Sequence, residues 1–278
     1  MVVKVRTVNG AKQLEVEDVA WTPDLGERFV AEGCTGLLVG APDGPAMPDL
    51  GFVRDLPGLT RVRLLRGVRD CSAVADVPGL EELTLASDYR GPLTLGSLPR
   101  LRTLAMPFLP AVADLAKLGE LRVLAVWGWP KSSPTLEVLG DKPELEFLRL
   151  ELKRTTVLTT AGLVAPKLRT LWLYDGRVSF AAAFPELEVL HLNSTKVASL
   201  DFVRDLPRLR DLFVENAGEV ESADPLRGHP ALRLLAFAGR TTFRDGDLGA
   251  LLELPAVESV ALERGAPHYS HKPAEIRR

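Results

Sequence analysis

Hydrophobic residues recur along most of this chain in one fixed hexamer. An aliphatic residue fills its first, fourth and sixth places, variable residues stand between them, and a Pro usually precedes by two residues. Ten copies begin at Leu59, Leu80, Leu101, Leu121, Leu145, Leu168, Leu187, Leu209, Leu232 and Val257, and Leu187-Glu188-Val189-Leu190-His191-Leu192 shows the form. Nine steps cover 198 residues, a mean period of 22, and self-similarity at such a period outranks any local signal. Because side chains alternate along an extended chain, the fourth and sixth places share one face. Each copy therefore predicts one short strand with a core face and an outward face. The rest of each period returns the chain to the same edge, so successive strands are expected parallel, with right-handed crossovers. No copy covers its own apolar face; stacking stabilises them all.

Two weaker copies, Ala11 to Val16 with Leu14 and Val16 and Cys34 to Val39 with Leu37 and Val39, bring the expected strands to about twelve. Asn9-Gly10 between two alternating segments predicts a two-residue hairpin turn. Pairing Val8 with Ala11 sets Val5 against Leu14 and Val3 against Val16 on one face, with Lys4 against Glu15 and Arg6 against Gln13 on the other. Residues 2–17 are thus a predicted hairpin that caps the open sheet edge. Among the spacers, 109–118 and 133–139 predict single helical turns or short helices, the second with Ser133 at its cap. The β-branched run 155–160 predicts an extended segment, and 246–252 a short helix begun by Asp245 or Asp247. The chain is expected to be one domain, 1–278: the hairpin 2–17, repeats over 18–265, and a polar tail, 266–278, over or beyond the last strand.

The hexamer, with spacers such as Leu50-Gly51-Phe52-Val53-Arg54-Asp55-Leu56-Pro57 and Leu200-Asp201-Phe202-Val203-Arg204-Asp205-Leu206-Pro207, resembles the leucine-rich repeat family. The resemblance covers nearly the whole chain and is to the roughly 22-residue, internalin-like bacterial class. It implies an α/β fold, a right-handed solenoid or horseshoe with irregular convex spacers, and a concave face formed by the third, fifth and seventh places. The chain departs from the family at the ninth place. There the family's Asn satisfies backbone groups, whereas here stand Gly67, Asp88, Leu109, Trp129, Lys153, Gly176, Thr195, Ala217, Arg240 and Gly265. Irregular turns, and other partners for those backbone groups, are expected.

Charge and cysteine content narrow the function. A net charge of −3 creates no bulk field for nucleic acid or an anionic membrane. Two cysteines, Cys34 and Cys71, make neither a disulfide framework nor a structural zinc site, and Cys34 falls on a core place, as a small buried hydrophobe. The start, Met1-Val2-Val3-Lys4-Val5-Arg6, does not read as a signal peptide, and no run approaches the ~20 apolar residues of a membrane span. The expectation is a cytoplasmic protein, and Arg in excess of Lys points to a bacterial genome.

Down the outward places, large aromatic and charged residues crowd the fourth to eighth strong copies: Trp127, Phe147, Arg149, Glu151, Trp172, Tyr174, His191, Asn193, Asp211, Phe213 and Glu215, with Trp129 just beyond its strand. Flanking copies carry mostly Ala, Thr and Pro. Aromatic and Arg enrichment of this kind marks a binding hot spot, so these twelve residues are the candidate site for another protein or a peptide. The alternatives are a small-ligand binder or enzyme, with His191 as base beside Asp211 and Glu215 in a pocket between Trp172 and Phe213, and a scaffold that contacts partners through its convex side. Phosphate loops, CxxC pairs and a Gly-x-Ser-x-Gly elbow are absent from the sequence. No catalysis and no cofactor or metal is expected; His268 and His271, three apart in the tail, are weak ligands on their own.

Overall fold

The computed structural model describes residues 2–276 apart from 42, 44–46, 48 and 87, so the last two residues of the expected tail lie outside the described residues. The chain divides into two compact units, 1–127 and 128–278. Each is a run of repeats, with one parallel strand per copy of the hexamer.

The first unit opens with the antiparallel hairpin of β1 (Val2–Val8) and β2 (Ala11–Glu17), paired Val8 with Ala11, Val5 with Leu14 and Lys4 with Glu15 as the alternation requires. Asn9 and Gly10 both have positive φ, 50° and 79°, the conformation of a tight turn whose twist matches the strands. Then follow β3 (Gly36–Gly40), β4 (Arg61–Leu64), β5 (Glu82–Thr84), β6 (Thr103–Pro107) and β7 (Val123–Trp129), each parallel to the one before. Strands begin at the third place of the hexamer; the first-place leucines stand just ahead of them, buried. Between β2 and β3 lies a helix that the repeat does not announce, α1 (Pro23–Ala31), with Pro at its start and Leu25 and Phe29 buried one turn apart.

In the second unit β8 (Phe147–Leu152), β10 (Thr170–Tyr174), β12 (Val189–Asn193), β13 (Asp211–Glu215), β15 (Leu234–Ala238) and β17 (Ser259–Leu262) form the parallel sheet. Two small ladders lie in its spacers: β9 (Val157–Thr159) pairs with β11 (Arg177–Ser179), and β14 (Glu219–Val220) with β16 (Thr242–Phe243). The first of these is the extended run expected over 155–160. The twelve expected strands are all present, β2 and β3 from the weak copies and ten from the strong ones.

Spacers mostly carry 3-10 turns. Pro110–Lys117 is such a helix, and the recurring phrases Gly51–Asp55 and Asp201–Asp205 fold alike. Over 133–139 the expected turn or short helix is confined to Glu137–Leu139, since the Pro134 carbonyl accepts the Thr159 amide at 2.8 Å and the Leu136 amide donates to the Ala161 carbonyl at 3.1 Å, bonds to the next spacer in place of helical ones. Near the end, α2 (Gly249–Leu252) starts where Asp247 Oδ1 accepts the amide of Gly249 at 2.8 Å. The tail closes the unit with α3 (Pro273–Ile276), its Ile276 fully buried. At Gly246, φ is 72° and a Cβ would stand 2.4 Å from the His268 carbonyl, so only glycine fits beneath the tail.

Core ladders run through both units. Fourth- and sixth-place residues are at most 2 % exposed in all ten strong copies, and each such side chain contributes about 1.5–3 kcal/mol on burial. Threonines take the place of the missing Asn in the second unit. The buried hydroxyls of Thr156, Thr195 and Thr241 donate to the carbonyls of Trp129, Leu173 and Val214 at 3.0, 2.8 and 3.0 Å, and Thr241 Oγ1 also accepts the Ala217 amide. In the first unit a tyrosine does similar work: Tyr89 OH accepts the Cys71 amide at 3.0 Å and donates to the Pro92 carbonyl at 2.8 Å.

Candidate functional site

The sheet face opposite the core in the second unit is where the repeat sends its third, fifth and seventh places. Pairing sets Phe147, Thr170, Val189 and Asp211 in one row, Arg149, Trp172, His191 and Phe213 in the next, and Glu151, Tyr174, Asn193 and Glu215 in the third. Neighbouring strands lie about 4.8 Å apart, so these side chains must touch. Trp172 meets Phe147 edge-on at 5.2 Å between ring centroids and His191 at 5.8 Å. His191 in turn meets Tyr174 at 5.7 Å and Phe213 at 5.8 Å. A continuous row of edge-to-face rings results, the favoured arrangement for such pairs.

Polar groups border that row. Arg149 pairs with Glu151 and lies over the Tyr174 ring at 4.7 Å, a cation–π contact. Asn193 Nδ2 donates to Glu215 Oε2 at 2.8 Å, and the other carboxylate oxygen stands 3.5 Å from His191 Nε2. Among the described residues, His191 Nε2 and Arg149 Nε are buried without a hydrogen-bond partner, a state that costs about 1–3 kcal/mol per group. Every ring and charge in the three rows is half-buried, none fully enclosed.

The expected residues divide accordingly. Phe147, Arg149, Glu151, Trp172, Tyr174, His191, Asn193, Phe213 and Glu215 form one connected patch. Asp211 shares the face but not the His191 contact. It stands at the start of β13 among Arg210, Arg233, Glu188 and Glu258, where desolvation raises its pKa above the usual carboxylate value, the two arginines oppose that shift and the two glutamates add to it. The expected His191, Asp211 and Glu215 constellation is thus reduced to His191 and Glu215. Trp127 belongs to the first unit, half-buried opposite Pro107, with its indole nitrogen buried.

Trp129 corrects the reading. It is fully buried and its indole N–H is bound to Ser133, so it is core, not surface. Gly128, at φ 75°, breaks the alternation and turns the next side chain inward. Between Trp172 and Phe213, where the enzyme reading expects a pocket, stands His191, their neighbour in register, its ring centroid 5.8 Å from each of theirs.

The second places, which the alternation did not assign outward, supply an ionic rim. Arg210 faces Glu188 at 3.6 Å and Arg233 faces Glu258 at 3.2 Å; their opposite signs on adjacent copies were the available signal. Both cysteines are buried, and burial raises both thiol pKa values, that of Cys71 to about 11. Neither is an activated nucleophile. His268 Nε2 donates to the Phe243 carbonyl at 2.9 Å, and His271 pairs with Ser270; both tie down the tail. Among the described residues no group of three or more His, Cys, Asp or Glu could hold a metal, and no helix is long and apolar enough to cross a membrane.

No family profile and no curated relative matches the sequence. Solved structures do. The crystal structure of an internalin, InlF, from Listeria monocytogenes matches with a TM-score of 0.55 at 15% identity, over 91% of this chain and 87% of that one. Internalin C2 of the same organism matches at 15% identity over 81% and 80%, with a TM-score of 0.35. At such identity the InlF likeness speaks for the fold alone: the chain has the internalin-like leucine-rich repeat fold.

Proposed function

We propose that the chain is a protein-binding module whose partner, a protein or an extended peptide, docks on the aromatic row of the second unit. One observation carries this reading. Phe147, Trp172, His191 and Phe213 form an unbroken edge-to-face series across four strands, half-exposed, bordered by Arg149, Glu151, Asn193 and Glu215. Repeat folds use the broad face of the sheet for binding, and hot spots are aromatic anchors with a polar margin. Catalysis from His191 is the weaker reading, because its contacts are three rings and one carboxylate, with no nucleophile among them.

A second reading has its own observation. In the first unit Trp21 stacks on Phe52 at 3.8 Å beside Val30, which is 55% exposed, an apolar patch on the spacer side where a scaffold would make contact. One experiment separates the two. The partner captured by the native chain is measured against Trp172→Ala, Val30→Asp and, as an outer-face control in the first unit, Arg63→Ala. Trp172→Ala is expected to weaken binding by about 2 kcal/mol or more, roughly thirtyfold in Kd, with the others unchanged. Undiminished binding by folded Trp172→Ala would overturn the proposal, and loss on Val30→Asp alone would move the contact to the spacer side.

A further inference from the structure

Beside the aromatic face, at the edge where β8, β10 and β12 give way to their spacers, lies a groove of about 620 Å³. Four cations line it, Arg154, Arg177, Lys196 and Arg240, against one carboxylate, Asp175. Three of the four hold one repeat position: Arg154, Arg177 and Lys196 are the tenth residues of consecutive copies. The backbone sets Arg177 beside Lys196 in a parallel bridge and opposite Val157, three residues beyond Arg154.

Elsewhere in this unit, side chains on adjacent repeats pair with opposite signs. Lys167 meets Glu144 at 2.7 Å, Arg233 meets Glu258 at 3.2 Å and Arg244 meets Glu219 at 2.7 Å, while Arg208 pairs with Glu186. In the groove two cations, Arg177 and Lys196, are instead direct bridge partners, and among the described residues none of the four has an ion-pair partner. Like charges directly opposite on neighbouring strands are unfavourable. The Arg177 and Lys196 pairing is a cost to the free chain that an anionic ligand would remove.

The shape of the row selects the ligand. From Arg154 to Arg240 is four repeat steps, about 19 Å at ~4.8 Å per strand, too long for one small anion and close to the reach of an extended hexapeptide at ~3.3 Å per residue. Val157, 59% exposed, sits on the groove wall, and Thr155, Ser194 and Asn216 add hydrogen-bonding side chains without any aromatic ring. Nucleic acid fits less well: single strands bind by stacking bases on aromatic platforms, and this groove carries no ring. We propose that this groove binds an acidic polypeptide segment, whose carboxylates pair with Arg154, Arg177, Lys196 and Arg240. The site is separate from the aromatic row and does not depend on it.

The test is fluorescence anisotropy with labelled hexaglutamate, against labelled hexathymidylate, at two ionic strengths. Hexaglutamate is expected to bind more tightly than hexathymidylate and to weaken with salt. The double variant Arg177→Ala, Lys196→Ala is expected to lose roughly tenfold in affinity. These side chains are exposed, so the fold should persist, which thermal unfolding checks. Arg204→Ala with Arg208→Ala changes the net charge equally at a distance from the groove and should leave binding unchanged. The proposal is overturned if hexaglutamate does not bind, if the distant pair costs as much as the groove pair, or if hexathymidylate binds more tightly.

Discussion

In the first unit the fifth place of β4 to β7 carries Arg63, Thr84, Ala105 and Ala125; in the second, from β8 to β13, it carries Arg149, Trp172, His191 and Phe213. Inside, the two units follow one rule: the fourth and sixth places of both are apolar and at most 2 % exposed. One repeat thus serves two surfaces, because alternation uncouples the outward places from the core. A face of Thr and Ala has little to lose on hydration, whereas a face of Trp, Phe and Tyr gains from being covered. The contrast singles out the outer face of the second unit better than any single residue does, and it breaks if the cores are not equivalent after all.

The largest effect tests that equivalence. Leu104 and Leu190 are both fully buried fourth-place residues, one in each unit. Leu104→Ala and Leu190→Ala are each expected to cost about 2–5 kcal/mol in denaturant unfolding, with the two values similar. A cost confined to one unit would mean that the ladders do not carry load alike. Next in size are the hydroxyls that replace the missing Asn. Thr195→Val removes the donor to the Leu173 carbonyl, and Tyr89→Phe strips the Cys71 amide of its acceptor. Each is expected to cost about 1–3 kcal/mol. If Thr195→Val proves neutral, the carbonyl is served by other donors and the threonines are not the substitute for the Asn ladder.

How much of this the sequence disclosed depends on which part of the repeat is asked. Places one to seven are legible, because a period of two inside each strand and a period near 22 between strands are both written in aliphatic residues. The hairpin register follows from Asn9-Gly10 for the same reason. Legibility ends at the eighth place, where the chain enters the left-handed region at Gly128, Asp175, Ser194, Asn216 and Gly239. Beyond it, alternation no longer says which way a side chain points. That is why Trp129 reads as surface and is core, and why Arg154, Arg177 and Lys196 escape a reading that stops at the strand. Helix α1 escapes for a different reason: Leu25 and Phe29 are its only buried residues, and two apolar positions do not make a period.

The smallest effect sharpens the comparison through pH. All four histidines, His191, His229, His268 and His271, belong to the second unit, so titration of histidine can destabilise that unit alone. Burial disfavours the charged form of His229. Its Nε2–H donates to the Leu206 carbonyl at 3.1 Å and its Nδ1 accepts the Ala231 amide at 3.3 Å, which fixes one neutral tautomer. Desolvation lowers its pKa below the ordinary 6.5, against a smaller opposing pull from Leu206. A histidine depressed in the folded state binds protons more readily when unfolded, so its contribution to stability is whole above pH 6.5 and declines as pH falls from there towards the folded value. The raised pKa of Asp211 acts with the opposite sign and in the lower, carboxylate range. Unfolding of the native chain between pH 7.5 and 5.5 is therefore expected to become easier with acid. His229→Gln should flatten that dependence even if it lowers stability throughout. An unchanged slope in the variant would assign the acid sensitivity to another group and remove histidine burial from the differences between the two units.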